Sequence, residues 1–168
     1  MKKILILLFL FLLVPVVRAE EEDLAPNAKS AIMIEASTGE ILFQKNKDEK
    51  LAPASMTKMM SMLLIMEEIE KGNLKWDEMI TASERAASMG GSQIFLKVGE
   101  KMSVTDMLKG ISIASGNDAT VAMAERISGS EESFVKKMND RAKELGLKNT
   151  NFINATGLTA DNHYSSAN

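Results

Sequence analysis

The 168-residue chain has no cysteine, one histidine, three prolines, one tryptophan and one tyrosine. Without cysteine there is no disulfide framework, no thiolate metal site and no thiol nucleophile. A single histidine, His163, also excludes a two-histidine metal site within the chain. Chemistry carried by these residues must therefore run on hydroxyls, lysines and carboxylates, and no metal or other cofactor is expected. There is no basic excess either: 20 Lys and Arg face 23 Asp and Glu, a formal charge of −3, which argues against nucleic acid as a partner. With 45% hydrophobic and 26% charged residues, the composition excludes collagen-like, disordered and multi-span membrane classes.

One long hydrophobic run exists, at the N-terminus. Lys2 and Lys3 precede an apolar stretch from Ile4 to Val17, and Val17-Arg18-Ala19 has the small residue of a cleavage site. This is the pattern of a secretory signal peptide over residues 1–19. The run is short for a membrane span, which needs about 20 residues. Cleavage after Ala19 leaves 149 residues and, with Lys2, Lys3 and Arg18 gone, a formal charge of −6. Residues 20–29 read as an acidic leader and linker, and 30–168 as the folded part.

The segment Ser30–Lys45 has two apolar runs around Ser37-Thr-Gly-Glu40, with Gly39 suited to a tight turn, and predicts a β-hairpin. After Pro53 a helix is expected from Ala54 to Lys71, stopped by Gly72 and Asn73. Met56, Met59, Met60, Met62 and Met66, with Leu63, Leu64, Ile65 and Ile69, put apolar side chains on nearly every face. That predicts a helix buried mid-domain, its methionines filling the core. Thr81 with Glu84, and Ser103 with Asp106, read as capping boxes. Further helices are expected from Asp118 to Ser128 and from Glu131 to Leu145, ending at Gly129 and Gly146, with Glu132 and Lys136 paired at i,i+4. Trp76 is expected to pack on the helical side. From Asn149 onward the chain reads as loop.

Ser55-Met56-Thr57-Lys58 opens the apolar helix, with Ser55 and Lys58 on one face at i,i+3. A serine hydroxyl is a weak nucleophile until a neighbouring base takes its proton, and a desolvated lysine can be that base. Taken alone, the same four residues also fit a serine helix cap beside a surface lysine. A lysine in so apolar a helix needs an explanation, however, because an unpaired buried charge is costly. Ser115-Gly116-Asn117, between two helices, brings a second hydroxyl and a carboxamide to a loop.

Together with Ala36–Phe43, Leu51–Lys58, Gly90–Phe95, Ile113–Ala119, Gly157-Leu158 and His163–Ser166, these motifs resemble the low-molecular-mass penicillin-binding proteins. Those are the serine-type D-alanyl-D-alanine carboxypeptidases of peptidase family S11. The resemblance implies an α+β, β-lactamase/DD-peptidase-like fold, an antiparallel sheet with a helical subdomain. It implies Ser55 as the acylated nucleophile, Lys58 as its general base, Ser115 as a proton-relaying hydroxyl and Asn117 as a substrate-binding amide. The implied substrate is a peptidoglycan stem peptide ending in D-Ala-D-Ala, with β-lactams as inhibitors that acylate the same serine. The implied location is extracytoplasmic, at the outer face of the membrane or in the wall.

The family's third motif, Lys-Thr-Gly on a cleft strand, does not occur in the sequence. Ser37-Thr-Gly39 and Ala155-Thr-Gly157 both lack the lysine. Residues 30–168 are therefore expected to be the N-terminal portion of a catalytic domain whose remaining strands, and any C-terminal membrane anchor, lie outside the chain. Such a piece alone is expected to be inert. A serine β-lactamase is the rival enzyme, but those of class A use a glutamate in deacylation, and Asn149–Asn168 contains none. A protein that binds β-lactam or peptidoglycan without turnover is the rival outside enzymology. His163 is read as a hydrogen-bonding loop residue rather than a triad base.

Overall fold

A computed structural model describes residues 23–168; the expected signal peptide and residues 20–22 of the leader lie outside them. Strands β1 (Ala31–Ile34) and β2 (Ile41–Lys45) form the expected antiparallel hairpin, Ala31 opposite Lys45, with an irregularity between Met33 and Ile34. Gly39 takes φ 74° in its turn, and the Glu35 carboxylate accepts from the Ser37 and Thr38 amides. A 3-10 turn, Ala54–Thr57, leads into α1 (Lys58–Glu70). Then follow β3 (Met79–Thr81), the one-turn α2 (Glu84–Ala87), β4 (Lys101–Ser103), α3 (Val104–Ala114), α4 (Asn117–Ser128) and α5 (Glu131–Glu144). β3 pairs antiparallel with β4, so the described residues contain two separate two-stranded sheets. None of their helices is long and apolar enough to cross a membrane.

The enclosed helix is α4, a correction to the expectation for α1. Every residue from Asn117 to Ala124 is buried, because small side chains at Ala119, Ala122 and Ala124 let neighbours approach from all sides. α1 instead buries one face only: Met60, Ser61, Leu64 and Ile65 turn inward, whereas Met59 is 68% exposed, Leu63 and Met66 are exposed as well, and Met56 on the preceding turn is 67% exposed. Met59, Leu63 and Met66 follow one another at i, i+4 and i+7. They form a second apolar stripe that composition could not tell from the first. With Leu51, Leu147 and Phe152, members of this stripe line a groove of about 740 Å³.

The inner face of α1 joins two clusters. Ile65 packs with Ile80, Leu96, Met107, Ile111, Val121 and Met123, while Met60 and Leu64 pack with Ala124, Phe134, Met138 and Phe152. Fully burying side chains of this size is worth about 1.5–3 kcal/mol each. At its acidic end α1 meets α5 through Glu67–Arg141 and Glu68–Lys137 ion pairs. Ser103 caps α3 through the Asp106 amide, as its spacing predicts. The cap of α2 is Ser83, accepting from Ala86 N; Thr81 belongs to β3, so the Thr81–Glu84 box does not form. Lys136 pairs with Asp140 rather than Glu132, both choices being one helical turn away. Trp76 is 48% exposed instead of packed away.

Candidate active site

Ser55 lies exposed on the 3-10 turn, just before α1. Neither the turn nor α1 uses a side chain as its cap, so the Ser55 hydroxyl is not spent on capping. The turn is strained at Ala54, whose φ of 47° is rare for a residue with a Cβ. What holds it is polypeptide on the other side: Gly157, at φ 89°, runs so close that a Cβ there would overlap the Ala54 carbonyl. Only glycine supplies both that dihedral and that clearance.

Lys58, the first residue of α1, is 2% exposed. Its Nζ lies 3.4 Å from Ser55 Oγ and 2.7 Å from the Thr156 carbonyl oxygen. None of the ion pairs among the described residues includes Lys58. Burial without a counter-charge pushes its pKa down from 10.5 to about 8. About a tenth of the amine is then neutral at pH 7, far more than for a free lysine, and a neutral amine can accept the serine proton.

Ser115 ends α3 in the left-handed region, at φ 55°. Its hydroxyl is buried and has no hydrogen-bond partner in the protein, so it is bonded to neither Ser55 nor Lys58. The hydroxyl therefore keeps its donor and its acceptor free of other protein groups, as the Ser128 hydroxyl also does. Asn117 opens α4 and is 4% exposed, with its Nδ2 donating to the Gly90 carbonyl and its amide to the Ser92 carbonyl. Gly91 faces that carboxamide, leaving only 2.9 Å between Asn117 Nδ2 and the place a Cβ would take. Ser55 and Lys58 are thus brought into contact, while Ser115 and Asn117 occupy a second turn tied to the 90–96 loop.

Asp118 and the Thr156 carbonyl support the site without having had a reading of their own in the sequence. Asp118, 0% exposed, accepts from the amides of Ile94, Leu96 and Ala119, gripping the loop on both sides of Phe95. Phe95 is 78% exposed at φ 62°, a conformation a bulky residue adopts only when its surroundings impose it. The Thr156 carbonyl is a main-chain group, which no side-chain pattern could announce. Thr57 and His163 share a bond of 2.8 Å, so His163 is bonded to the turn that carries Ser55 and not to Ser55 itself. Asn154, in the Asn-Ala-Thr triplet, is engaged by Thr156 and Gly157 amides. Among the described residues no three His, Asp or Glu side chains gather in a way that could hold a metal ion.

The D-alanyl-D-alanine carboxypeptidase model of peptidase family S11 matches residues 16–168. The D-alanyl-D-alanine carboxypeptidase DacF of Bacillus subtilis is 68% identical over 145 residues, 86% of this chain and 37% of that protein. DacC of Escherichia coli is 40% identical over 168 residues, 95% of this chain and 42% of its own length. Among solved structures, the carboxypeptidase DacD of Francisella tularensis superposes with a TM-score of 0.83 at 43% identity, covering 89% of this chain and 35% of that one. Penicillin-binding protein 5 of Haemophilus influenzae gives 0.80 at 39% identity, covering 83% and 42%. The chain spans about two fifths of the length of these relatives.

Proposed function

The chain belongs to the D-alanyl-D-alanine carboxypeptidase family S11, and from that premise we propose that it carries the acylation half of a serine carboxypeptidase acting on peptidoglycan stem peptides. Ser55 Oγ attacks the carbonyl carbon of the penultimate D-alanine as Lys58 Nζ takes its proton. The tetrahedral intermediate collapses by breaking the C–N bond, a proton passes to the departing nitrogen, and terminal D-alanine leaves. Water then hydrolyses the serine ester and regenerates the hydroxyl. Splitting amide cleavage in this way replaces one difficult step by two easier ones. Ser115, with its partnerless buried hydroxyl, is the proton relay, and Asn117 presents its carboxamide to the substrate backbone. A β-lactam acylates the same serine.

The observation that carries the proposal is the buried Lys58, unpaired by any carboxylate and 3.4 Å from an exposed serine hydroxyl. Residues 1–19 are proposed to export the chain, which places the chemistry outside the membrane where peptidoglycan lies. Residues 30–168 are proposed to be the N-terminal part of the catalytic domain. The uncovered stripe Met59, Leu63, Met66 and the exposed Ile34, Ile41 and Leu42 of the hairpin support this, since they are apolar surface that a finished domain would bury. Labelled penicillin tests the assignment. In a full-length protein that joins these residues to the rest of the catalytic domain, Ser55 is expected to take up covalent label and Ser55→Ala to take up none; undiminished labelling of Ser55→Ala would overturn it.

A further inference from the structure

The chain's only histidine is 6% exposed, and both ring nitrogens are engaged. Nδ1 lies 3.0 Å from the amide nitrogen of Ile153, which can only donate, so Nδ1 accepts and carries no proton. The neutral ring must then be protonated on Nε2, which lies 2.8 Å from Thr57 Oγ1 and donates to it. Burial acts in the same direction, lowering the ring's pKa and keeping it neutral. The edge-to-face contact with Phe152, ring centroids 5.9 Å apart, fixes the ring plane.

The two partners of the ring stand at the ends of the structure that defines the lysine's surroundings. Thr57 lies between Ser55 and Lys58 in sequence, on the nucleophile's turn. Ile153 begins the strap Ile153–Gly157, whose Ala155 carbonyl accepts from Ser61 Oγ at 2.7 Å and whose Thr156 carbonyl accepts from Lys58 Nζ. Asn154 Oδ1 gathers the Thr156 and Gly157 amides and so stiffens the strap from within. A donor and an acceptor on one rigid ring therefore join the strap to the turn.

We propose that His163, as its Nε2–H tautomer, is a positioning residue: by bridging Ile153 N–H and Thr57 Oγ1 it sets the distance of the Thr156 carbonyl from Lys58 Nζ, and through that the amine's presentation to Ser55. The proposal rests on the acyl-serine reading. Displacing a reacting group by about 1 Å can cost about 100-fold in rate. Removal of the bridge is therefore expected to lower the acylation rate about 10- to 100-fold, less than removal of Lys58 itself.

The test has a structural arm and a kinetic arm. Comparison with His163→Gln assigns the His163 ring signals in a nitrogen-15 NMR spectrum. At neutral pH Nδ1 is expected in the unprotonated range and Nε2 in the protonated range; the opposite assignment would overturn the proposal. In the kinetic arm, penicillin acylation rates and their pH midpoints are compared in His163→Ala, His163→Gln, Thr57→Val, Thr57→Ser and the double variant His163→Ala/Thr57→Val. The single losses are expected not to add in the double variant. Thr57→Ser should restore the rate that Thr57→Val loses, and the acylation midpoint should move as the lysine loses its carbonyl partner. If His163→Ala does not fold, His163→Gln, which retains a donor at the far position, carries the same comparison. Lowered melting temperatures with unchanged acylation rates and midpoints would make the bridge structural only and overturn the proposal. Labelling of Ser55→Ala would instead overturn the acyl-serine reading, leaving the tautomer to be decided by the ring nitrogens.

Discussion

Ser55 stands on a turn that is crossed from outside by polypeptide, whereas Ser115 stands on a turn gripped from below by a carboxylate. The first turn is held by the close pass of Gly157 and by neutral hydrogen bonds through His163, Ser61 and the Thr156 carbonyl. The second is held by Asp118, whose buried charge is spent on three main-chain amides. Each contains a residue forced to positive φ, Ala54 in one and Ser115 in the other. The contrast shows where a negative charge is tolerated. Beside Lys58 a carboxylate would hold the ammonium charged; that turn offers it a carbonyl and a hydroxyl instead. Beside Ser115 the carboxylate meets only amides, and it stabilises the loop without touching the lysine.

The largest expected effect comes from breaking the first turn at its crossing point. Gly157→Ala combines a disfavoured dihedral with overlap onto the Ala54 carbonyl, and loss of both acylation and a cooperative melting transition is expected. Gly39→Ala is the control: φ is likewise positive, at 74°, but nothing lies within 4 Å, so only a backbone cost of about 1 kcal/mol should appear in thermal unfolding. Equal effects of the two exchanges would show that the close pass does not matter.

Next comes the lysine that the first turn keeps free of carboxylates. Lys58→Met is expected to slow penicillin acylation by about 10²- to 10⁴-fold, the usual worth of a general base. In the unsubstituted protein the rate should rise with pH as the amine loses its proton and level off above about 8. The stability sign follows from the same shift. With the folded value at about 8 and the ordinary one at 10.5, the unfolded chain holds more protons between them, and stability should rise with pH across that window. A pH-independent acylation rate would remove Lys58 as the base.

The smallest of the three sharpens the second turn. Asp118→Asn keeps the shape but turns one acceptor into a donor facing amides, which should cost about 2–4 kcal/mol in denaturant unfolding. A cost near zero would mean that the 90–96 loop does not depend on the carboxylate.

Much of this architecture is legible in local patterns, because the signals are short-range. The hairpin at Gly39, the Ser103 cap, the helix ends at Gly129 and Gly146 and the i,i+3 placement of Ser55 and Lys58 need nothing beyond a few neighbouring residues. The errors share one cause. Counting apolar residues on α1 predicts burial all round, yet Met56, Met59, Leu63 and Met66 are exposed, since periodicity reports which side chains are apolar and not what covers them. The Lys136 pairing fails because two acidic side chains lie one helical turn from it, and Trp76 because an apolar identity does not say how far a side chain is covered.

Residue identity and spacing alone narrowed the chemistry: no thiol, no histidine pair, a Ser55–Lys58 pair three positions apart in an apolar helix, and an ordered set of motifs that names the family. The pairing of strap with turn was decided in three dimensions. Thr156 and His163 lie 98 and 106 positions from Lys58 and Thr57, and a main-chain carbonyl and a ring tautomer have no one-dimensional signature. A lysine becomes a base only when folding strips its water and withholds a counter-charge, and desolvation is a property of the packed molecule.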